Sequence, residues 1–207
     1  MLRFIIVLCL ILSMPWQSFA GDAATRYVDL VRAAKAGETT IDWQAMRFAY
    51  ADRPEFDVFG ATTAEQHKQM FAAFQAGDYR MALSAANAIL DQDYVDIDAQ
   101  AVADISAQKL AANSEAKPHH DAVVGLIRSI MTGDGLSQRT AFSVISVNEE
   151  YSLLRVLGWR SKGQHLVRGD GHMYDQLDVV ESNGKSREVY FLIDRVMAAE
   201  SAAMKKP

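Results

Sequence analysis

The sequence holds a single cysteine, Cys9, and only four prolines. One thiol cannot bridge to itself, so a disulfide scaffold is excluded, and the scarcity of proline excludes polyproline and collagen-like chains. Basic residues are also in short supply, 21 Lys and Arg against 26 Asp and Glu. A net charge of −5 lacks the basic footprint that displaces counterions from phosphates, which argues against a nucleic-acid binder. Long apolar runs are missing: Phe4–Leu12 is the longest stretch of its kind, well short of the ~20 residues that cross a bilayer. Gly-x-Ser-x-Gly, His-Glu-x-x-His and Walker-type loops are absent as well. What is present, 50% hydrophobic and 23% charged residues, is the make-up of an ordinary globular chain.

The first twenty residues carry the parts of a Sec-type secretory signal. Arg3 supplies a positive charge, Phe4–Leu12 an apolar core, Pro15 a break and Ser18-x-Ala20 a small-x-small site. The expectation is cleavage after Ala20, residues 1–20 being the signal peptide and 21–207 the mature chain. An uncleaved N-terminal anchor is the alternative. A lipoprotein does not fit, because Leu8 rather than a small residue precedes Cys9. Cleavage removes Arg3 and Cys9, so the mature chain has no thiol and relies on its core alone in an oxidising compartment. The expected location is periplasmic or secreted, with no membrane span after cleavage.

The mature chain divides by period, helical up to about Met131 and mostly strand from Ala141 to Ile193, giving a helical repeat-like region, 21–131, and a small antiparallel β region with an inserted helix and a C-terminal helix, 132–207. Tyr27, Leu30, Val31 and Ala34 fall on one helical face before Gly37. Asp42–Ala51 forms a second helix ended by Arg53-Pro54. Thr62-x-x-Glu65 reads as a capping box for a third helix, running to Gly77. Asp78 caps Tyr79–Leu90, with Ala82, Leu83, Ala85, Ala86 and Ile89 inward. A fifth helix spans about Asp98–Leu110, using Val102, Ile105 and Leu110, and a sixth opens at Pro118.

After Gly133-Asp134-Gly135, Ala141–Val147 reads as a strand and Asn148 as the cap of a short helix ended by Gly158. Strands near Gln164–Val167, Tyr174–Val180 and Glu188–Ile193 follow. Turns at Arg168–Gly171 and Asn183-Gly184 join them, the latter the stronger type I′ signal. A last helix covers Asp194–Lys206. Gly21–Thr25 and the last few residues are expected to be disordered.

The predicted fold is thus α+β: an N-terminal helical half of about six helices, packed on a small C-terminal antiparallel sheet with one inserted helix. A few-stranded sheet must bury its apolar face against something.

Phe74-Gln75-Ala76-Gly77-Asp78-Tyr79-Arg80-Met81-Ala82-Leu83 resembles the centre of a tetratricopeptide repeat, where glycine permits a sharp reversal and alanine a close helix approach. One repeat is covered, whereas a free solenoid needs about three. A wider resemblance is carried by Asp42-Trp43, Met46-Arg47 and Tyr50, by Gly133-Asp134-Gly135, Thr140-Ala141-Phe142-x-Val144-Ile145-Ser146 and Glu149-Glu150-Tyr151-x-Leu153-Leu154, and by Gly171-His172-x-Tyr174-Asp175-x-Leu177-x-Val179-Val180 and Tyr190-Phe191-Leu192-Ile193-Asp194. These segments resemble an exported bacterial family catalogued as domain of unknown function 4919. The resemblance implies architecture and export and supplies no activity.

Candidate chemistry is sparse. Arg47 beside Trp43 and Tyr50 has the guanidinium to hold a carboxylate bidentately on an aromatic-rimmed face; the alternative is an arginine pinning its helix to an acidic neighbour such as Glu149 or Glu150. Adjacent His119 and His120 read as a solvated helix start. His165 and His172 flank the Arg168–Gly171 turn, with Asp170 or Asp175 nearby, and lack a third convergent ligand. Asp91, Asp93, Asp96 and Asp98 lack the glycine and terminal glutamate of a calcium loop and read as helix ends and caps.

No catalytic residue, metal ligand or cofactor is assigned. Arg47, Tyr50, Tyr79, Glu150, His172 and Asp175 are the candidate binding residues. The leading functional expectation is a non-enzymatic interaction module presenting a helical groove to a protein or peptide. The rival is a small hydrolase or ligand-binding protein with polar residues gathered between the two halves; Arg47, Glu150, His172 and Asp175 converging in space would favour it.

Overall fold

The computed structural model describes residues 17–205; most of the expected signal segment, residues 1–16, lies outside them, as do Lys206 and Pro207. Six helices come first: α1 (Gln17–Lys35), α2 (Trp43–Ala51), α3 (Ala64–Gln75), α4 (Tyr79–Leu90), α5 (Ile97–Lys109) and α6 (Asn113–Ile130). Short connections make neighbours pack in sequence, α1 on α2 and then α3 through α6 as a stack, with α3 also touching α5.

Asp42 and Asp78 cap α2 and α4 as expected, accepting from the amides of Ala45 (2.9 Å) and Met81 (3.0 Å). Gly77, at φ 77°, makes the reversal between α3 and α4. In α2, Trp43 fits against α6 only because residue 125 is glycine: a Cβ there would stand 2.1 Å from the indole nitrogen.

The C-terminal portion comprises β1 (Phe142–Ser143), α7 (Val147–Leu157), β2 (Arg160–Gly169), β3 (His172–Val180), β4 (Ser186–Leu192) and α8 (Asp194–Ala203). The sheet order is β1-β4-β3-β2; β2, β3 and β4 are antiparallel, while β1 runs parallel to β4. Leu177, Val179, Val189 and Phe191 are buried along the sheet, and Phe142 meets Phe191 edge-on at 5.7 Å. One cluster of buried apolar side chains runs from Tyr27 in α1 through Met46, Met70, Ile89 and Leu126 to Leu153 and Val196. The architecture is therefore α+β, helical in its N-terminal half.

Several local expectations need correction. Gly21–Thr25 is helical, not disordered: Ala23 and Ala24 favour helix and extend the face that carries Tyr27. Thr62 is not a helix cap; α3 starts after Thr63, and the Thr62 hydroxyl donates to Asp57 instead (2.7 Å). In α5, Ile105 and Leu110 face solvent while Ala99, Val102, Ala103 and Ala107 are buried. α6 begins at Asn113 and contains Pro118; the carbonyl that proline leaves unpaired belongs to exposed Ser114 and is free to bind water.

The strand expected over Ala141–Val147 shrinks to two residues, because Ser146 caps α7, its hydroxyl accepting from the Glu149 amide, and Asn148 lies inside the helix. The sheet is mixed rather than wholly antiparallel. The two hairpin turns also exchange character. Asp170 and Gly171 both have positive φ (50° and 83°), whereas at Asn183-Gly184 only the glycine does. The Glu181–Lys185 connection closes instead with a Gly184 amide bond to the Glu181 carbonyl (2.9 Å), a loop one residue longer that ends in a left-handed glycine.

Candidate functional site

A cleft of about 540 Å³ lies between α1, the α2–α3 loop, the α4–α5 turn and the start of α7, in the size range of a small-ligand pocket. Each wall has a local cause. The α4–α5 turn is strung between Asp91, which ends α4, and Asp96, which caps α5 by accepting from the Ala99 amide (2.8 Å). That stretch places Asp93 and Tyr94 on the cleft. The α2–α3 loop is stapled by Asp57, which accepts from the amides of Phe59 (3.2 Å) and Thr62 (2.7 Å). Gly60 brings this loop against α7, where a Cβ would stand 2.4 Å from the Asn148 side-chain nitrogen.

Aromatic rings form the floor. Tyr27 and Tyr50 lie with centroids 5.2 Å apart, and Phe56 meets Tyr50 edge-on at 5.4 Å. The Tyr27 hydroxyl accepts from the Tyr94 amide (2.8 Å), and Tyr50 donates to Asp93. Arg53 lies over both tyrosines, at 4.9 and 5.5 Å from the ring centroids, and is ion-paired with exposed Glu55. Burial, reinforced by the charge of Asp93, pushes both tyrosine hydroxyls upward. Burial and then the charge of Asp96 hold Asp93 well above the usual carboxylate range, against the hydrogen bonds from Tyr50 and the Val95 amide.

His67 stands behind the turn. Its Nδ1 bonds the Thr63 carbonyl (2.9 Å) and its Nε2 bonds Asp96 (2.8 Å). A carbonyl only accepts, so Nδ1 carries a proton, and a second proton on Nε2 gives a charge-assisted bond. Burial works against that charge, but Asp96 and the carbonyl prevail and raise the imidazole to about 9.

Behind the cleft wall is a fully buried arginine. Arg47 donates from Nε and Nη2 to the two oxygens of Glu149 (2.7 and 2.6 Å), from Nη2 to the Ser143 carbonyl (2.7 Å) and from Nη1 to Ser129 (3.2 Å). Glu149 also accepts from the Ile145 amide (2.9 Å). Arg47 thus binds a carboxylate bidentately inside the molecule, and the acidic neighbour that the sequence offered as an alternative is the partner found.

Glu150, the next residue, faces the other way. Neither of its oxygens meets a donor, and it lies against Asp175. Two acceptors cannot bond each other, so Glu150 keeps its proton and donates it to Asp175. Burial, then the Asp175 charge, raises Glu150 to about 9, and burial raises Asp175 too. Gln164 donates to Asp175 (2.6 Å) and accepts from Tyr151 (2.9 Å), completing a chain from α7 to β2 and β3.

Among the six sequence-derived candidates, the structure brings Glu150 and Asp175 together and places Tyr50 on the cleft. Tyr79 packs edge-on against Phe74 (5.9 Å) at the start of α4. His172 pairs with Asp194 (2.5 Å) at the start of α8. His172 and His165 do not face each other across the hairpin: His172 is opposite Gly169 and His165 opposite Gln176. His119 and His120 lie within α6, not at its start, and bond Gln100 (2.7 Å) and Asp104 (3.0 Å) of α5.

Asp98, on α5, holds Arg155 and Ser152 of α7. Sequence reasoning missed Tyr27, Arg53, His67, Asp93 and Tyr94. For Asp93 and Tyr94 the signal was the close run of aspartates and tyrosine between two helices, which capping alone explained; Tyr27, Arg53 and His67 had none. Among the described residues no group of three or more His, Cys, Asp and Glu side chains has the geometry of a metal site.

The motifs that carried the family resemblance meet in this geometry. Arg47, from the Met46-Arg47 segment, bonds both Glu149 and the Ser143 carbonyl of the later segments. Gly133 and Gly135 sit where a Cβ would strike the Thr140 carbonyl (2.4 Å) and the Phe142 ring (2.7 Å). No curated protein and no solved structure matches the chain. The profile of the family described as a domain of unknown function (DUF4919) matches residues 22–202, and the chain belongs to that family.

Proposed function

We propose that this protein is a non-enzymatic binding module that takes a peptide segment in the tyrosine-lined cleft. The carrying observation is the cleft itself: its walls come from the helical half and from the start of α7, and aromatic rings with a few aimed polar groups line it. That is the composition of a recognition pocket. The helix stack supports the reading, since α3 and α4 reverse at Gly77 and α3 also reaches α5, as in repeat proteins that present a groove. Arg47, Glu150, His172 and Asp175, the set a hydrolase reading requires together, lie in three separate places.

Export belongs to the same proposal and rests on residues 1–20; no described helix is long and apolar enough to cross a membrane. The test is ligand-observed NMR with a pool of the twenty N-acetyl amino-acid amides, comparing the wild type with Val31→Trp, which fills the cleft. Signals from some probes that vanish with the still-folded variant support the reading. Equal signals from both proteins, or none from either, overturn it.

A further inference from the structure

The chemistry of the cleft names what it takes. We propose that its inner part is a subsite for a cationic side chain, a guanidinium above all, carried by a basic peptide, and that Arg53 occupies this subsite as a resident stand-in. The inference rests on the cleft being the binding site and adds the class of its ligand.

Three features point the same way. Tyr27 and Tyr50 present ring faces whose negative quadrupole attracts cations, and Arg53 already lies over both, 4.9 and 5.5 Å from their centroids. A guanidinium therefore fits. Asp93 lines the same cleft, bonded to the Tyr50 hydroxyl and the Val95 amide; Arg53, tied to Glu55, does not pair with it, and no other lysine, arginine or histidine does so among the described residues. A ligand cation, free of the tie to Glu55, can turn to the carboxyl that Arg53 leaves without a charged partner.

The tie that keeps Arg53 in place is also weak. Glu55 is 59% exposed against 18% for Arg53, so the carboxylate end of the pair is already solvated and gains little from the guanidinium. Arg53 can leave for solvent without stranding a buried charge.

An anionic ligand is disfavoured by the same geometry. An anion in the cleft would sit close to Asp93 and Asp96, which line it. Between the two common cationic side chains, planar guanidinium stacks on a tyrosine better than a compact, strongly hydrated ammonium. Val28 and Val31, on the α1 wall, offer apolar contact to the residues flanking the cation.

The experiment titrates N-acetyl-arginine amide, N-acetyl-lysine amide, the neutral near-isostere N-acetyl-citrulline amide and N-acetyl-glutamate amide into the wild type, Arg53→Ala, Glu55→Gln and Asp93→Asn, with circular dichroism confirming each fold. Arginine should bind the wild type at least about fivefold tighter than citrulline, with lysine between them and glutamate weakest, the range a desolvated cation–π contact gives. Removing the stand-in should strengthen arginine binding about three- to tenfold in Arg53→Ala, and loosening its tie should do so more weakly in Glu55→Gln. Asp93→Asn should erase most of the preference for arginine over citrulline.

Equal affinity for arginine and citrulline, or weaker arginine binding in both Arg53→Ala and Glu55→Gln, overturns the cation subsite. If neutral probes still bind under those outcomes, the cleft stands as a binding site with a different ligand. If no probe binds, both readings fall.

Discussion

Glu149 and Glu150 are consecutive residues in the first turn of α7, and both are buried. Glu149 turns toward the helical half and meets Arg47, which gives it two donors, while the Ile145 amide gives a third. Glu150 turns toward the sheet and meets Asp175, another acid. Burying a charge is costly unless it is paired and hydrogen-bonded. The first carboxylate meets that condition with a cation; the second avoids it by staying neutral. The helix is thus held on one side by an ion pair and on the other by a single proton, and the two attachments should respond differently to mutation and to pH.

Removing the cation tests the first attachment and should have the largest effect. Arg47→Met leaves Glu149 buried without its partner, and equilibrium unfolding in urea should show a loss of about 3–5 kcal/mol. A loss under 1 kcal/mol would mean that Glu149 finds water or another donor.

The second attachment should be visible in the pH dependence of stability. Glu150, raised to about 9 from an ordinary 4.5, holds a proton in the folded chain that the unfolded chain has already released. Stability should therefore fall as pH rises from about 4.5 to about 9, at up to ~1.4 kcal/mol per pH unit from this group. Glu150→Gln, which keeps a donor for Asp175 and has no proton to lose, should flatten this decline and be the more stable protein at pH 8. Parallel curves for the two proteins would sink the shared-proton assignment.

His67 is an intermediate case, a cation that can be lost. Its pKa, raised from 6.5 to about 9, makes its bond to Asp96 fully stabilising below about 6.5, and the contribution disappears as pH rises through 9. His67→Gln should cost about 1–2 kcal/mol at pH 6 and far less at pH 10. Its imidazole resonances should titrate near 9 in the wild type.

At the far end stands an exposed pair. Arg32 and Asp29 lie three residues apart on α1, at 2.7 Å. Arg32→Gln should change stability by less than about 0.5 kcal/mol, so a larger loss would put the exposed pair on a par with buried ones.

Much of the helical half was legible in the sequence because its signals are local. Asp42 and Asp78 each serve the helix that directly follows, and Gly37 and Gly77 each follow the end of one, so neighbouring residues suffice to read them. Errors fell where two residues within a position or two of each other were equally able to do the job. Thr62 or Thr63 before α3, and Ser146 or Asn148 before α7, are all good caps by type. The choice was made at a distance: Asp57 claims the Thr62 hydroxyl, and starting α7 at Val147 lets Glu149 reach Arg47.

The two hairpins were misjudged for a related reason. Asn-Gly is the stronger isolated signal, yet Asp170-Gly171 is the turn with both residues at positive φ.

The candidate site was nearly invisible in the sequence for the same physical reason on a larger scale. Tyr27, Tyr50 and Tyr94 are spaced far apart along the chain: Tyr27 reads as one position on a helix face, Tyr50 as a neighbour of Arg47, and nothing local joins them to Tyr94. The sequence alone determined the α+β class, the family and most helix ends, since periodicity, capping and turn chemistry act over a few residues. Only the tertiary structure decided that three tyrosines, Arg53 and Asp93 would share a cleft, and that of two adjacent glutamates one would be an ion and the other an acid. Burial and long-range pairing set those outcomes, and neither is a property of a residue's neighbours in the chain.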